Sequence, residues 1–243
     1  MNDGARVPAA VMLAIGLIVS GFLVGRGFRE GRRSDRVVTV KGVSEREVDA
    51  DIALWPLRFV ATDDDLARAQ QRIKSSQAGI MTFLARHSID SSAVEVSGLD
   101  VTDVYANPYQ SGSVRSRYII NEALMVRSDQ PRTIQKAAEA VGELIEAGII
   151  LSSNEGPGGG RPTYLFTRLN DIKPAMIAEA TAAARTAAEQ FAHDSGSHLG
   201  GIRTANQGTF VILPRAQAPG ISEEGEFHKM VRVVTTVEYY LTN

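Results

Sequence analysis

The 243-residue chain predicts an α+β fold: a mostly antiparallel sheet with about three packing helices, preceded by one N-terminal transmembrane helix. Three observations predict it. Runs rich in β-branched residues come in pairs between amphipathic segments, an order that suits hairpins covered by helices rather than parallel βαβ units. Hydrophobic residues make up 44% and charged residues 22% of the chain, the balance of a protein that buries a core. Val7–Val24 carries no ionisable side chain. The expected division is a membrane anchor with its basic flank over 1–36 and one α+β domain over 37–243.

At about 1.5 Å per residue, a helix over Val7–Val24 covers roughly 27 Å, close to the ~30 Å hydrocarbon core of a bilayer. A helix on the surface of a soluble protein carries a polar stripe, and this segment has none. Arg6 precedes it, and Arg26, Arg29, Arg32, Arg33 and Arg36 follow it. A cleaved signal needs a small-x-small site, which "GRGFREGRR" does not offer, so an uncleaved anchor is favoured. The arginine bias by itself holds the C-terminal side in the cytoplasm, but large domains are often translocated despite such charge.

"RVVTVKGV" reads as a strand with Gly42 as a bulge or turn. "VDADIALWPLRFVA" follows, with Trp55, Leu57 and Phe59 on one face and Pro56 asking for an edge position or a bulge. "TDDDLARAQQRIKSSQAGIMTFLARHS" predicts a helix, since Leu66, Ala69, Ile73, Gln77, Ile80 and Leu84 step by three or four. Thr62 is its expected N-cap, with Asp63–Asp65 placed against the positive end of the dipole.

"VEVSGLDVTDVY" and "RYIINEALMVRS" read as a hairpin with "ANPYQSGS" at its tip. "QPRTIQKAAEAVGELIEAG" predicts one helix. Ser128 or Asp129 caps it, Pro131 sits near N1, Gly148 fits C′, and Ile134, Ala138, Val141 and Ile145 form the buried stripe. "IILSS" and "TYLFTRL" flank the glycine-rich "NEGPGGGRP". An alanine-rich helix over "NDIKPAMIAEATAAARTAAEQFAHDSG" starts at Asn170 or Asp171 and ends at Gly196, its small side chains allowing close approach to a helix or sheet. "GTFVIL" and "VRVVTTVEYYL" are the closing strands, joined by a projecting loop.

Composition narrows the chemistry. With no cysteine, thiolate nucleophiles, zinc–thiolate sites, iron–sulfur clusters and disulfides are excluded. Net charge −2, with the one dense basic run beside the apolar segment, argues against a nucleic-acid partner. His87, His193, His198 and His228 form no H-x-x-x-H or H-E-x-x-H pair, so no metal site is expected. No serine sits in a G-x-S-x-G elbow. "GPGGG" lacks the Lys-Ser/Thr ending of a phosphate loop and reads as a flexible tip. Asp63–Asp65 read as capping groups, and Tyr239, Tyr240 and the "TYLF" aromatics as core or cross-strand pairs. No catalytic set, cofactor site or metal site is assigned.

"VVTVKGVSEREVDADIALWPLRFVAT", "RYIINEALMVRS", "PTYLFTRLNDIKPAMIAEATAAARTAAEQFA" and "VRVVTTVEYYL" together resemble the SIMPL-domain family of bacterial envelope proteins. The opening at Val40–Val48 and the late Asn-Asp helix block are the most telling, and the likeness covers nearly all of the chain after Arg36. The resemblance implies a place at the inner membrane with the soluble domain in the periplasm, a link with oxidative-stress tolerance, and oligomeric, ring-like assembly. It supplies no catalytic motif. The expectation is therefore a non-enzymatic, membrane-anchored envelope protein that self-associates through this domain, with the loops around Asn107, Gly159 and Gly220 as contact surfaces. Its partners are the membrane, through the N-terminal helix, and further copies of itself. A small-molecule or lipid-binding periplasmic module, with the glycine-rich tip bordering a pocket, is the alternative.

Overall fold

The computed structural model describes residues 6–33, 36–106, 116–152, 160–216 and 218–242. Its elements run α1 (Arg6–Arg33), β1 (Val37–Asp49), β2 (Ile52–Asp63), α2 (Leu66–Arg86), β3 (Val94–Asp103), β4 (Tyr118–Ser128), α3 (Pro131–Glu139), α4 (Gly142–Glu146), β5 (Thr163–Leu165), α5 (Leu169–Asp194), β6 (His198–Gln207), β7 (Val211–Pro214) and β8 (His228–Thr242). The fold is α+β with two sheets: β1-β8-β6, with β7 also on β8, and β3-β4-β2-β5. Every register recorded between strands is antiparallel. The chain forms two compact units, one of Met1–Ser44, Ala175–Phe210 and Val233–Asn243, the other of Glu45–Pro174 and Val211–Arg232.

In the first unit, β1 turns Val40, Gly42 and Ser44 inward, and α5 answers with Ala180, Ala184, Ala188 and Ala192, buried at a spacing of four. Gly42 is a close-approach site rather than a turn: a Cβ there would lie 1.8 Å from the Ala180 carbonyl oxygen and 2.5 Å from the Ala184 nitrogen. The alanine-rich helix does allow the close packing its composition foretells. Val40, Ala184, Ala188, Val237 and Tyr239 form the small core, and the Ser44 hydroxyl donates to Glu179 at 2.7 Å.

The second unit holds the larger core. Trp55, Leu57 and Phe59 are buried on one face of β2, as alternation predicts, against Ile73, Ile80, Phe83 and Leu84 of α2. β2 is an inner strand, so Pro56 is on neither an edge strand nor a bulge, and it is tolerated instead at a gap in the ladder. On the side of β2 away from β4, the pairings among the described residues are Ile52–Leu54 with β5 and Phe59 with Leu151, and Pro56 lies between them. The β3–β4 hairpin forms as expected; its tip, Asn107 included, lies outside the described residues.

Several expectations are corrected. Among the described residues there are four α-helices beside α1 rather than about three, because the predicted middle helix is broken. Ala140, Val141, Glu143 and Leu144 donate to carbonyls three residues back, a tightened turn placed where β-branched Val141 meets helix-weak Gly142. The break shifts the phase: Ile134, Ala137 and Leu144 are buried while Ile145 is exposed. The α2 N-cap is Asp65, whose carboxylate accepts from the Arg68 N–H, and Thr62 stays in β2. Gln130 occupies the α3 N-cap position without a side-chain bond to the helix backbone, although Ser128 Oγ accepts from its N–H. Asn170 and Asp171 lie inside α5. "IILSS" is a single bridge at Leu151, and β6 forms where no strand was expected.

Candidate functional site

The sheet of the second unit ends at β3, which leaves a hollow between that edge and α2. The inward face of β4 runs Ile120, Glu122, Leu124 and Val126, all buried. Beside it, Val94 and Val96 stand opposite Val126 and Leu124, then Leu99 and Val101 opposite Glu122 and Ile120. The register shifts between Val96 and Gly98, so one extra residue is absorbed and the apolar side chains stay on the same face. Helix α2 does not reach over this margin, and Val96, Leu99 and Val101 remain exposed.

A cavity of about 370 Å³ lies there, bounded by Leu66, Gln70, Ile73, Lys74 and Gln77 of α2 and by Leu99, Val101, Ile120 and Glu122 of the sheet. That is the size of a small-ligand pocket, whose walls are typically apolar with a few fixed polar groups. Glu122 is 8% exposed, and burial pushes its carboxyl above the usual range. Sequence reasoning passed over it. The signal was available in "YIINEALMV", where a glutamate takes a position of the apolar face.

Several other polar groups of this unit are paired. Asp63, also buried, accepts from the Asp65 N–H at 3.0 Å and forms ion pairs with Arg68 and Arg72. The backbone bond, with help from both guanidiniums, outweighs burial and holds its carboxyl below the usual range. Lys229 is fully buried and donates to the Glu223 carboxylate and to the Glu223 carbonyl. Burial pushes the Asp49 carboxyl up, but bonds from Arg132 at 3.0 Å and His228 at 2.7 Å outweigh it and leave it lowered. Asp51 accepts from the N–H groups of Thr167 and Arg168, just ahead of α5.

A second hollow of about 410 Å³ is lined by Trp55, Pro56, Ala138, Ile145, Gly160 and Pro162, among others, and the Trp55 Nε1–H donates to the Gly160 carbonyl at 2.8 Å. It borders the glycine-rich tip, of which Gly159 lies outside the described residues. Gly220 is described and has φ +84°. Tyr164 packs edge-on against Phe227 with ring centroids 6.0 Å apart, and Tyr239 is buried, so these aromatics serve the cores.

The anchor residues fall on one helix. Val7 and Val24 lie in α1, with Arg26, Arg29, Arg32 and Arg33 in its C-terminal part. Arg36 precedes β1, and its carbonyl accepts from the Leu241 N–H at 2.8 Å. Among the described residues no helix is long and apolar enough to cross a membrane. In α1 the described apolar side chains begin at Met12, and that of Leu13 is not among them. Among the described residues no group of three or more His, Asp or Glu side chains stands ready to hold a metal ion.

Comparison with known families matches residues 38–237 to SIMPL, described as a protein of unknown function (DUF541). No curated protein matches the chain. With the match spanning both compact units, from β1 into β8, the chain belongs to the SIMPL family.

Proposed function

We propose that the protein is a non-enzymatic envelope protein, held at the inner membrane by Val7–Val24, with its family domain in the periplasm and self-associated there. The observation that carries the reading is α1, a helix of 28 residues. Met12, Ile15, Leu17, Ile18, Phe22 and Leu23 on it are exposed, and its uncharged run extends back to Val7 in the sequence. Apolar side chains presented in this way, with arginines at one end, suit a bilayer and its headgroups.

Self-association is supported by β3. It is the outer strand of its sheet among the described residues, and an edge with exposed Val96, Leu99 and Val101 offers backbone pairing and apolar contact to a second copy. A role in stress tolerance is part of this reading.

The chain has no cysteine, so one introduced thiol reports cleanly. Membranes bearing the full chain with Thr102→Cys, an exposed β3 position, are washed at alkaline pH and oxidised mildly. The expected result is retention in the pellet and a disulfide-linked dimer, with no dimer from Thr186→Cys on α5. Release into the supernatant contradicts the anchor, and equal cross-linking at the two positions contradicts pairing through β3. A second reading, small-molecule or lipid binding, is favoured by the cavity beside Glu122.

A further inference from the structure

Glu122 is a buried acidic side chain that none of the described residues partners. Its neighbours on the inward face of β4 are Ile120, Leu124 and Val126, where an apolar residue would serve the core. Among the described residues it accepts no hydrogen bond and forms no ion pair, whereas buried Asp63 and Lys229 each have close partners of opposite charge. Its carboxylate oxygens are not sealed in the core; they open on the cavity, where a partner from outside the chain can reach a carboxyl that the surrounding side chains leave poorly solvated.

The cavity shows where that partner sits. Glu122 forms part of its lining, the other sheet residues are Leu99, Val101 and Ile120, and α2 adds Leu66 and Ile73. Lys74, Gln70 and Gln77 complete the lining from α2, with Lys74 and Gln70 exposed. A carboxylate in apolar surroundings is best matched by a cation that brings its own apolar body. An anionic ligand would set like charges together, and a neutral one would leave the carboxylate without a counter-charge.

We infer that the groove between α2 and the β3–β4 hairpin binds a small organic amine, with its ammonium group on Glu122 and its hydrocarbon body among Leu66, Ile73, Leu99, Val101 and Ile120. This gives a ligand class to the small-molecule reading and does not depend on self-association. The raised affinity of the buried carboxyl for a proton accords with it, because an ammonium group supplies the same positive charge.

The test uses the full chain in lipid nanodiscs with three probes of one shape: 2-phenylethylamine, 2-phenylethanol and 3-phenylpropionate. Calorimetry and thermal shift are expected to show saturable binding of the amine, at least tenfold tighter than the alcohol, and none of the propionate. Glu122→Gln is expected to weaken the amine at least tenfold. Lys74→Ala, an exposed change that leaves the core alone, is expected to keep or tighten it. Equal affinity for alcohol and amine overturns the amine assignment while leaving the small-molecule reading in place. Preferred binding of the propionate, lost in Lys74→Ala, also overturns it in favour of an anion site. Binding of none of the three overturns both.

Discussion

Glu122 has a consequence for stability that is separate from any ligand. Its carboxyl is raised by burial, so the folded state favours the protonated form. A carboxyl raised in this way subtracts stability as pH climbs past the ordinary glutamate value of about 4.3, and the full loss is reached above the raised native value. Glu122→Gln keeps the shape and does not titrate. Urea melts are expected to show wild type and variant alike near pH 4 and the variant more stable at pH 7.5, by up to about 1 kcal/mol once solvent access to the carboxylate is allowed for. A variant less stable at pH 7.5 would mean that the ionised carboxylate has a stabilising partner. At this scale alternation made Trp55, Leu57 and Phe59 legible as a buried face. Glu122 was hidden because a single charged residue in an apolar run is commonly read as the solvent side. Gly42 was misread because close packing on α5 depends on a helix more than 130 residues away in the chain, as does the Ser44–Glu179 bond.

The broken α3–α4 segment separates two roles of glycine within one element. Gly142 begins α4 with open space where a Cβ would be, and its φ is not positive. Gly148 follows the helix at φ +79°, the left-handed position that closes a C-terminus. Gly142→Ala is expected to stabilise by about 0.4–1 kcal/mol by restricting the unfolded chain. Gly148→Ala is expected to destabilise by roughly 1 kcal/mol because an L side chain is strained there. Thermal melts of the two variants should move in opposite directions; equal or same-sign shifts would contradict these two backbone roles. The Pro131 start and the Gly148 stop were legible because each rests on the backbone of one residue. The break was not, since nothing in "EAVGEL" forbids a continuous helix. β6 was invisible for a related reason: Gly200, Gly201 and Asn206 have weak strand propensity. Gly200 is nevertheless accommodated where a Cβ would lie 2.9 Å from the Tyr240 carbonyl oxygen.

For the whole molecule, the two antiparallel sheets account for the paired strand signals and the family match covers both compact units. The class was legible because hairpins and amphipathic helices announce themselves within short windows. The cavity was not, because it depends on how far α2 extends over a sheet edge. Compartment depends on the N-terminus, where the sequence makes opposing demands: the apolar run of Val7–Val24 asks for a bilayer, and Arg26–Arg36 for the cytoplasmic side. Translocation of the domain despite those arginines is the central claim. Protease added to spheroplasts with an intact inner membrane tests it most directly, read with an antibody to a C-terminal tag. Digestion of the domain is the predicted result and would direct the search for partners to the envelope. Protection until the membrane is lysed would contradict the claim and place the domain in the cytoplasm.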